Sequence, residues 1–429
     1  MADLIVRGGR PISGTLIPSG NKNAVLPIIC ASLLSSGQTT LTNVPEISDV
    51  DKLLAYFREC GSQVDWQPDT HRLTITHDQA RLETADVELP VGIRSAVLLL
   101  APVMMRKHLL CFDTEAKGCA LGLREIDPHL QILEKFGCRI EESRPYRLSL
   151  DGRPQGHDIW ADYASVTATE TFIMMAVLAD GVSTLTNAAC EPHVQALCEF
   201  LMLMGAKIDG VGTSKLTVTG VETLGATEFT IPDDHHEIAT FLAIGGVTGG
   251  KVSVTTNMAP HMPLIIRQFS KLGLDIATTA DGLEVRGWSR KIEKPYTDEM
   301  LPKIEAAPWP YFPADLLPQA IGVAVGCEGG DVMFWNKVYE GALGWSAELS
   351  KFGAKVHLSD PHRLIVFGGN RLRPATVEAP YIIRVVLALF IAAIQIEGVS
   401  IIRNADPIRR AHPRFVENLT RMGADVQWV

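Results

Sequence analysis

At 429 residues, 46% of them hydrophobic, the chain exceeds what a single core usually supports, and two domains are the natural expectation. A formal net charge of −10 argues against a nucleic-acid surface while leaving room for a local basic pocket. The opening MADLIVRGGRPISG shows no cationic stretch followed by an apolar run, and no uncharged apolar run is long enough to span a membrane, so a cytoplasmic protein is expected.

Two strand-like runs come first, Leu4-Ile-Val-Arg and Gly14-Thr-Leu-Ile-Pro, with no helix before them. From there one phrase recurs six times. It closes at Cys60-Gly61-Ser62, Phe136-Gly137-Cys138, Met204-Gly205-Ala206, Leu272-Gly273-Leu274, Phe352-Gly353-Ala354 and Met422-Gly423-Ala424. The glycines fall about seventy to eighty residues apart, the signature of a repeat architecture. Each unit reads as a strand pair, an apolar helix, a short strand and a second, more amphipathic helix that ends at the glycine.

The apolar helices are expected over 23–34, 94–104, 168–178, 237–246, 314–325 and 383–396. They are apolar nearly all round, as helices inside a domain must be. The short strands are expected over 39–43, 183–187, 252–257, 332–336 and 400–404, each ending in an Asn that reads as the entry to the next helix. The strand pairs show in Arg72-Leu-Thr-Ile-Thr, Arg147-Leu-Ser-Leu, Lys215-Leu-Thr-Val-Thr, Gly282-Leu-Glu-Val-Arg and Arg363-Leu-Ile-Val-Phe. The last unit ends in a strand, so the N-terminal strands most simply complete its domain. This gives one three-repeat domain over 22–232 and another over 1–21 plus 233–429, with an active-site cleft expected between them.

Polar residues stand at equivalent places, the starts of the apolar helices: Lys22 and Asn23, Arg94, Ser165 with Thr167, Glu237, Asp315 and Arg384. One alone would serve as a cap. Several are cations at the wrong end for the helix dipole, and the shared position points to an anion site for phosphate or carboxylate.

The second unit is interrupted by Asp113-Thr-Glu-Ala-Lys-Gly-Cys-Ala-Leu-Gly-Leu-Arg-Glu-Ile-Asp-Pro-His. Of the eight cysteines most lie in apolar runs, and none is spaced as a metal ligand; Cys119 instead stands between Gly118 and Gly122, beside Lys117 and Arg124. Nearby cations favour thiolate, which makes Cys119 a candidate reactive group. Its carboxylate counterpart is Asp315, delivered to a helix start by the turn Trp309-Pro-Tyr-Phe-Pro-Ala and therefore a candidate general base.

Taken together, Ser19-Gly20-Asn21-Lys22-Asn23-Ala24, Gly118-Cys119-Ala120-Leu121-Gly122-Leu123-Arg124, Phe312-Pro313-Ala314-Asp315 and Arg409-Arg410 resemble the enolpyruvyl transferases over the whole chain. The resemblance implies two α/β domains of inside-out barrel type, helices within and sheets outside. It implies transfer of enolpyruvate from phosphoenolpyruvate to the 3′-hydroxyl of UDP-N-acetylglucosamine, releasing phosphate and opening peptidoglycan synthesis, without metal or organic cofactor. Lys22, Arg94, Arg124, Arg384 and Arg410 would hold the phosphoenolpyruvate, with Lys22 also catalytic. Cys119 would protonate the methylene carbon and be the residue alkylated by fosfomycin, and Asp315 would take the hydroxyl proton. The nucleotide sugar would meet Asn23, Arg94, Arg124, Glu125, Asp127, Pro128, Tyr163, Ser165, Val166, Thr167, Asp315 and Met333. No nucleic acid, membrane or obligate protein partner is implied.

Several residues depart from the family pattern. Glu125-Ile126-Asp127-Pro128-His129 replaces Pro-Val-Asp-Leu-His, Tyr163 replaces a lysine, Thr167 a glycine, His193 a glutamate and Lys337 an arginine, and 233–237 reads Asp-Asp-His-His-Glu in place of Asp-Arg-Ile-Glu. These fall on the nucleotide side or in inter-domain stretches, while the phosphoenolpyruvate side is intact. A second acceptor therefore stays open: another uridine nucleotide, as in the uridine monophosphate transferases of nucleoside-antibiotic pathways. A silent binding relative would have lost Cys119, Asp315 or Lys22, and all three are present.

Overall fold

The computed structural model describes residues 2–78, 89–90, 94–112, 125–141, 145–297 and 299–429, with the backbone alone for Arg94. The apolar segments form helices because few side chains in them compete for backbone hydrogen bonds, Thr169 and Thr240 being exceptions that bond the carbonyl four residues back, and most faces find apolar neighbours. They run Lys22–Ala31, Leu100–Lys107, Val166–Ala176, His235–Val247, Leu317–Ala324 and Ile383–Ile394. Three are extended by 3₁₀ turns at Ser32–Leu34, Arg94–Leu99 and Ala314–Leu316. The helix His235–Val247 is buried along its whole length, and Ile383–Ile394 is buried from Arg384 onward. Each Leu, Ile or Phe so enclosed contributes about 1.5–3 kcal/mol by leaving water, which is why the helices lie inside and the sheets outside.

The described residues divide into two compact units, one within 20–232 and one of 2–19 with 233–429, and the buried apolar residues form two core clusters. In the first unit the strand Thr227–Thr230 pairs in parallel with Thr39–Thr42, whose other edge carries Arg72–Thr76 and then Gln63–Gln67. A second sheet runs Asp158–Trp160, Val182–Thr186, Lys215–Thr219, Lys207–Asp209 in the same sense. The third described sheet is Leu109–Phe112, Tyr146–Leu150, Cys138–Glu141.

The other unit repeats this plan with borrowed strands. Gly14–Leu16 supplies the parallel edge beside Val252–Thr255, followed by Gly282–Trp288 and Leu274–Thr278. Lys303–Ala306, Asp331–Asn336, Arg363–Phe367 and Val356–Asp360 form the next sheet. In the last, Leu4–Gly8 lies between Gly398–Arg403 and Asp425–Trp428, with Leu4 opposite both Ile402 and Trp428. The N-terminal strands thus complete two sheets of the C-terminal unit. This is the inside-out α/β architecture.

The six repeat glycines share one conformation: Gly61, Gly137, Gly205, Gly273, Gly353 and Gly423 have φ between 86° and 106°. They end the second helices Ser48–Glu59, Asp127–Lys135, Pro192–Leu203, Pro263–Ser270 and Phe415–Arg421, and in the fifth repeat the 3₁₀ turn Gly344–Phe352. A side chain in that left-handed region is strained, so the sequence repeats glycine. Helix packing makes a different demand at Gly322, where a Cβ would lie 2.6 Å from Ala388 O.

One reading of the sequence needs correction. The strand-ending asparagines do not open the second helices. Asn43, Asn187 and Asn404 take left-handed turns with φ of 57°, 66° and 58°. The helix caps come later, at Ile47 and Glu191 for example. Asparagine is tolerated in that region because its short amide bonds locally; the Asn43 amide donates to Ile231 O.

Candidate active site

In the unit that begins at Gly20, Asn21 caps the first buried helix, its side chain accepting from Ala24 N at 3.0 Å. The cap places Lys22 at the first helical position. There a cation opposes the helix dipole, and the buried carboxylate of Asp49 compensates with Oδ1 3.4 Å from Lys22 Nζ. Asn23 is half-buried beside it. Gly20 is required by the approach of the next strand's end, since a Cβ would lie 1.9 Å from Asn43 O.

Ser165 caps the helix Val166–Ala176 through Ala168 N, and Val166 and Thr167 form its half-buried first turn. Thr167 has a structural partner: His129 Nε2 is 3.0 Å from Thr167 Oγ1, and Nδ1 is 2.8 Å from Thr171 Oγ1. A hydroxyl in place of glycine at 167 thus ties this helix to Asp127–Lys135, where Asp127 lies in the first turn with Pro128 behind it. Glu125, Tyr163 and Trp160 are exposed. Deeper in the same helix Glu170 is fully buried, and burial, reinforced by the charge of Glu191, raises its carboxyl far above the ordinary range.

In the other unit the Trp309–Pro310 peptide is cis, and the chain then enters the 3₁₀ turn Ala314–Leu316. Asp315 lies in that turn. Its Oδ2 accepts from Arg384 Nε at 3.1 Å. Arg384 occupies the first turn of Ile383–Ile394, again a cation at the positive end of a helix, and Asp315 compensates it. Arg384 Nη1 is also 3.0 Å from His412 Nε2, and His412 Nδ1 is 3.8 Å from Glu237 Oε1. Glu237 Oε2 accepts from Ser19 N at 2.6 Å. Arg410 lies in the turn Asp406–Arg410 with its guanidinium 6.0 Å from the Tyr381 ring centre.

Asp234 caps His235–Val247, accepting from His236 N at 2.8 Å and from His236 Nδ1 at 3.1 Å. Asp234 and the neighbouring Glu237 are shifted in opposite directions. Burial would raise Asp234, but the bond and charge of His236, with Arg384 adding to them, hold it well below the carboxylate range. Glu237 is pushed up to about 8 by burial, against the Ser19 N–H and with the charge of Asp234 adding to the rise. Asp234, His235 and His236 are the one group of His and acidic ligand atoms within 4.8 Å among the described residues. Their carboxylate is already spent on the cap, and a metal ion would face the positive end of the helix.

Cys119 and Arg124 lie outside the described residues, and Arg94 is placed by its backbone at the start of Arg94–Leu99. Met333 shares the half-exposed face of its strand with Asp331 and Trp335, apart from the helix starts. Lys337 is occupied by Glu305 at 2.8 Å and lies 4.2 Å from the centre of the Trp335 ring. Asp49 and His412 had no distinguishing signal in the sequence. Each is buried against a cation that arrives from a distant segment.

A model of the EPSP synthase family, described as EPSP synthase (3-phosphoshikimate 1-carboxyvinyltransferase), matches residues 6–419. The chain belongs to the EPSP synthase family. Within it, the chain is 38% identical to the UDP-N-acetylglucosamine 1-carboxyvinyltransferase of Bradyrhizobium diazoefficiens, over 99% of this chain and 97% of that one. It is 35% identical to the protein of the same name from Treponema denticola, covering 100% and 99%. The enolpyruvyl transferase NikO from Streptomyces tendae has the same fold, with TM-score 0.86 at 21% identity over 100% of this chain and 99% of that one. An EPSP synthase from Acinetobacter baumannii follows with TM-score 0.76 at 17% identity, covering 100% of both chains. The EPSP synthase fold accounts for the six repeats, and no described helix is long and apolar enough to cross a membrane.

Proposed function

We propose that this member of the family transfers the enolpyruvyl group of phosphoenolpyruvate to the 3′-hydroxyl of UDP-N-acetylglucosamine, releasing phosphate, as the first committed step of peptidoglycan synthesis in the cytoplasm. The supporting observation is end-to-end similarity, at 38% identity, to a relative named for that reaction.

The assignment of residues follows the charges. Lys22, Arg94, Arg124, Arg384 and Arg410 would receive the phosphate and carboxylate of the donor. Fixed cations serve here because the addition builds charge that preorganised donors stabilise without reorganisation. The acceptor oxygen bonds to C2 of phosphoenolpyruvate while C3 gains a proton, which Cys119 would deliver. Loss of phosphate from C2 and of a proton from C3 then restores the double bond. Asp315 would take the hydroxyl proton. Its carboxylate is held 3.1 Å from Arg384 Nε, and the hydroxyl it would deprotonate acidifies as the carbon–oxygen bond forms. Asn23, Glu125, Asp127, Pro128, Tyr163, Ser165, Val166, Thr167 and Met333 would contact the nucleotide sugar.

A second acceptor, another uridine nucleotide, is favoured by the acceptor-side residues. Thr167 is committed to His129, and Tyr163 is exposed where the family pattern has a lysine. Phosphate release from phosphoenolpyruvate, measured with UDP-N-acetylglucosamine and separately with uridine monophosphate, distinguishes the two. Release with the monophosphate alone would transfer the assignment to the second acceptor, and release with neither would remove both.

A further inference from the structure

The donor-only chemistry of arginine fixes an otherwise ambiguous proton in the C-terminal unit. A guanidinium has five N–H donors and no acceptor. Arg384 Nη1 lies 3.0 Å from His412 Nε2, so Nε2 must carry the lone pair and the ring proton must reside on Nδ1. Glu237 Oε1 is the carboxyl oxygen beside Nδ1, 3.8 Å away and beyond hydrogen-bond distance, while the other Glu237 oxygen accepts from Ser19 N at 2.6 Å. At the opposite end Arg384 Nε donates to Asp315 Oδ2 at 3.1 Å. Glu237 and His412 are buried, Arg384 is 8% exposed, and Asp315 has the most accessible side chain in the chain of bonds, at 28%.

We infer that Glu237 and His412 are positioning residues, a buried relay that fixes the guanidinium plane of Arg384 and, through it, the carboxylate of Asp315. The inference rests on the assignment of Asp315 as the base. Arg384 reaches Asp315 with one Nε–H bond, so the direction of that carboxylate depends on what holds the rest of the guanidinium, and His412 holds it from the inner side. Arg384 selects the tautomer of His412, and Glu237 is the carboxyl nearest to the Nδ1 that this leaves protonated. The groups facing Glu237 are the Ser19 N–H, the Asp234 carboxylate, His412 and the charge of Arg414. Burial, with Asp234 adding to it, raises the Glu237 carboxyl to about 8, and the 3.8 Å separation suits a carboxyl still holding its proton. Its ionisation provides the acceptor that closes the last link.

The test compares two replacements of His412. Glutamine can accept from Arg384 with its carbonyl and donate to Glu237 with its NH₂; phenylalanine fills the space and can do neither. We expect His412→Phe to lower kcat for phosphate release about ten- to hundredfold, the scale of a displaced catalytic group. KM for the nucleotide should be unchanged, and His412→Gln should recover most of the loss. A Phe variant with wild-type kcat, or a Gln variant no better than Phe, would overturn the relay. ¹⁵N-histidine spectra of the wild-type protein, with His412 assigned from the signal lost in His412→Gln, provide a readout independent of turnover. Nδ1 protonated with Nε2 bare supports the relay, and a proton on Nε2 refutes it. Should the wild-type protein release no phosphate with any uridine nucleotide, the assigned reaction falls while the tautomer still decides whether Glu237 and His412 hold Arg384.

Discussion

In the unit starting at Gly20 the buried-helix starts hold Lys22 against Asp49 and a hydroxyl cap at Ser165, with Glu170 buried deeper. In the unit continuing from Asp233 the equivalent starts contribute Asp315 and Arg384 to one hydrogen-bonded series with His412, Glu237 stands 3.8 Å from His412, and Asp234 caps the helix that carries Glu237. The backbone plan is common to both, apart from the borrowed strands and the 3₁₀ turn Gly344–Phe352, so at the helix starts the difference is one of polar content. An inside-out repeat supplies several equivalent helix ends where charge can be placed cheaply beside exposed backbone groups. The first unit keeps a separate ion pair at such an end, and the second joins several ends so that the setting of one group depends on the others.

The largest expected effect separates these arrangements directly. Asp315→Asn keeps the shape of the Arg384 contact and removes the proton acceptor, so phosphate release should fall about 10²- to 10⁴-fold, the usual range for a lost general base. A loss below tenfold in a steady-state assay would leave Asp315 as no more than a partner for Arg384.

The repeat glycines test how alike the units are in their backbones. Gly205 and Gly273 have φ of 106° and 86°, but a Cβ at Gly205 meets nothing within 4 Å, whereas at Gly273 it would lie 2.4 Å from Ser289 Oγ and 2.9 Å from Lys291 O. Gly205→Ala should cost about 1 kcal/mol, from backbone strain alone. Gly273→Ala should cost about 2–4 kcal/mol, because crowding is added to strain. Equal urea midpoints for the two variants would mean that the φ requirement, not the local packing, controls both sites.

The smallest effect is the dependence of stability on pH. Glu237 titrates near 8 when folded against 4.5 ordinarily, so its contribution is full below about 4.5 and is lost as pH rises through about 8. Asp234 has the opposite sign: depressed when folded, it contributes above its ordinary value of 3.8 and that contribution is lost on acidification. Glu237→Gln should therefore flatten the decline in melting temperature between about pH 5 and about pH 8.5, and leave acid unfolding unaltered. A decline as steep as in the wild type would place the alkaline titration on another group.

The fold was largely legible because its signals are local. A positive φ selects glycine wherever a second helix ends, and a helix buried on all sides is almost wholly apolar, as in 235–247, where Thr240 is the one polar residue after the first turn. The asparagines were misread for a related reason: the same short amide that caps helices also tolerates a left-handed turn, and the sequence does not say which. Lys22, Asp315 and Arg384 were visible as charges out of place on apolar helices. His412 and Asp49 were not, because their significance lies in contacts to Arg384 and Lys22, which the sequence does not join to them. Cys119 and Arg124 lie outside the described residues.

The strand Leu4–Gly8, held between Gly398–Arg403 and Asp425–Trp428, also has a temporal meaning. During synthesis Leu4–Gly8 must wait for Gly398–Arg403 and Asp425–Trp428, about four hundred residues later, before its sheet can close. The intervening unit of 20–232 has all its strands available when Thr227–Thr230 emerges and pairs with Thr39–Thr42. The two units, equal in design, are therefore unequal in assembly. The later one depends on contacts between the ends of the sequence, which are the slowest kind to form, and through that interval an unpaired Leu4–Gly8 edge is exposed to chaperones and to neighbouring chains.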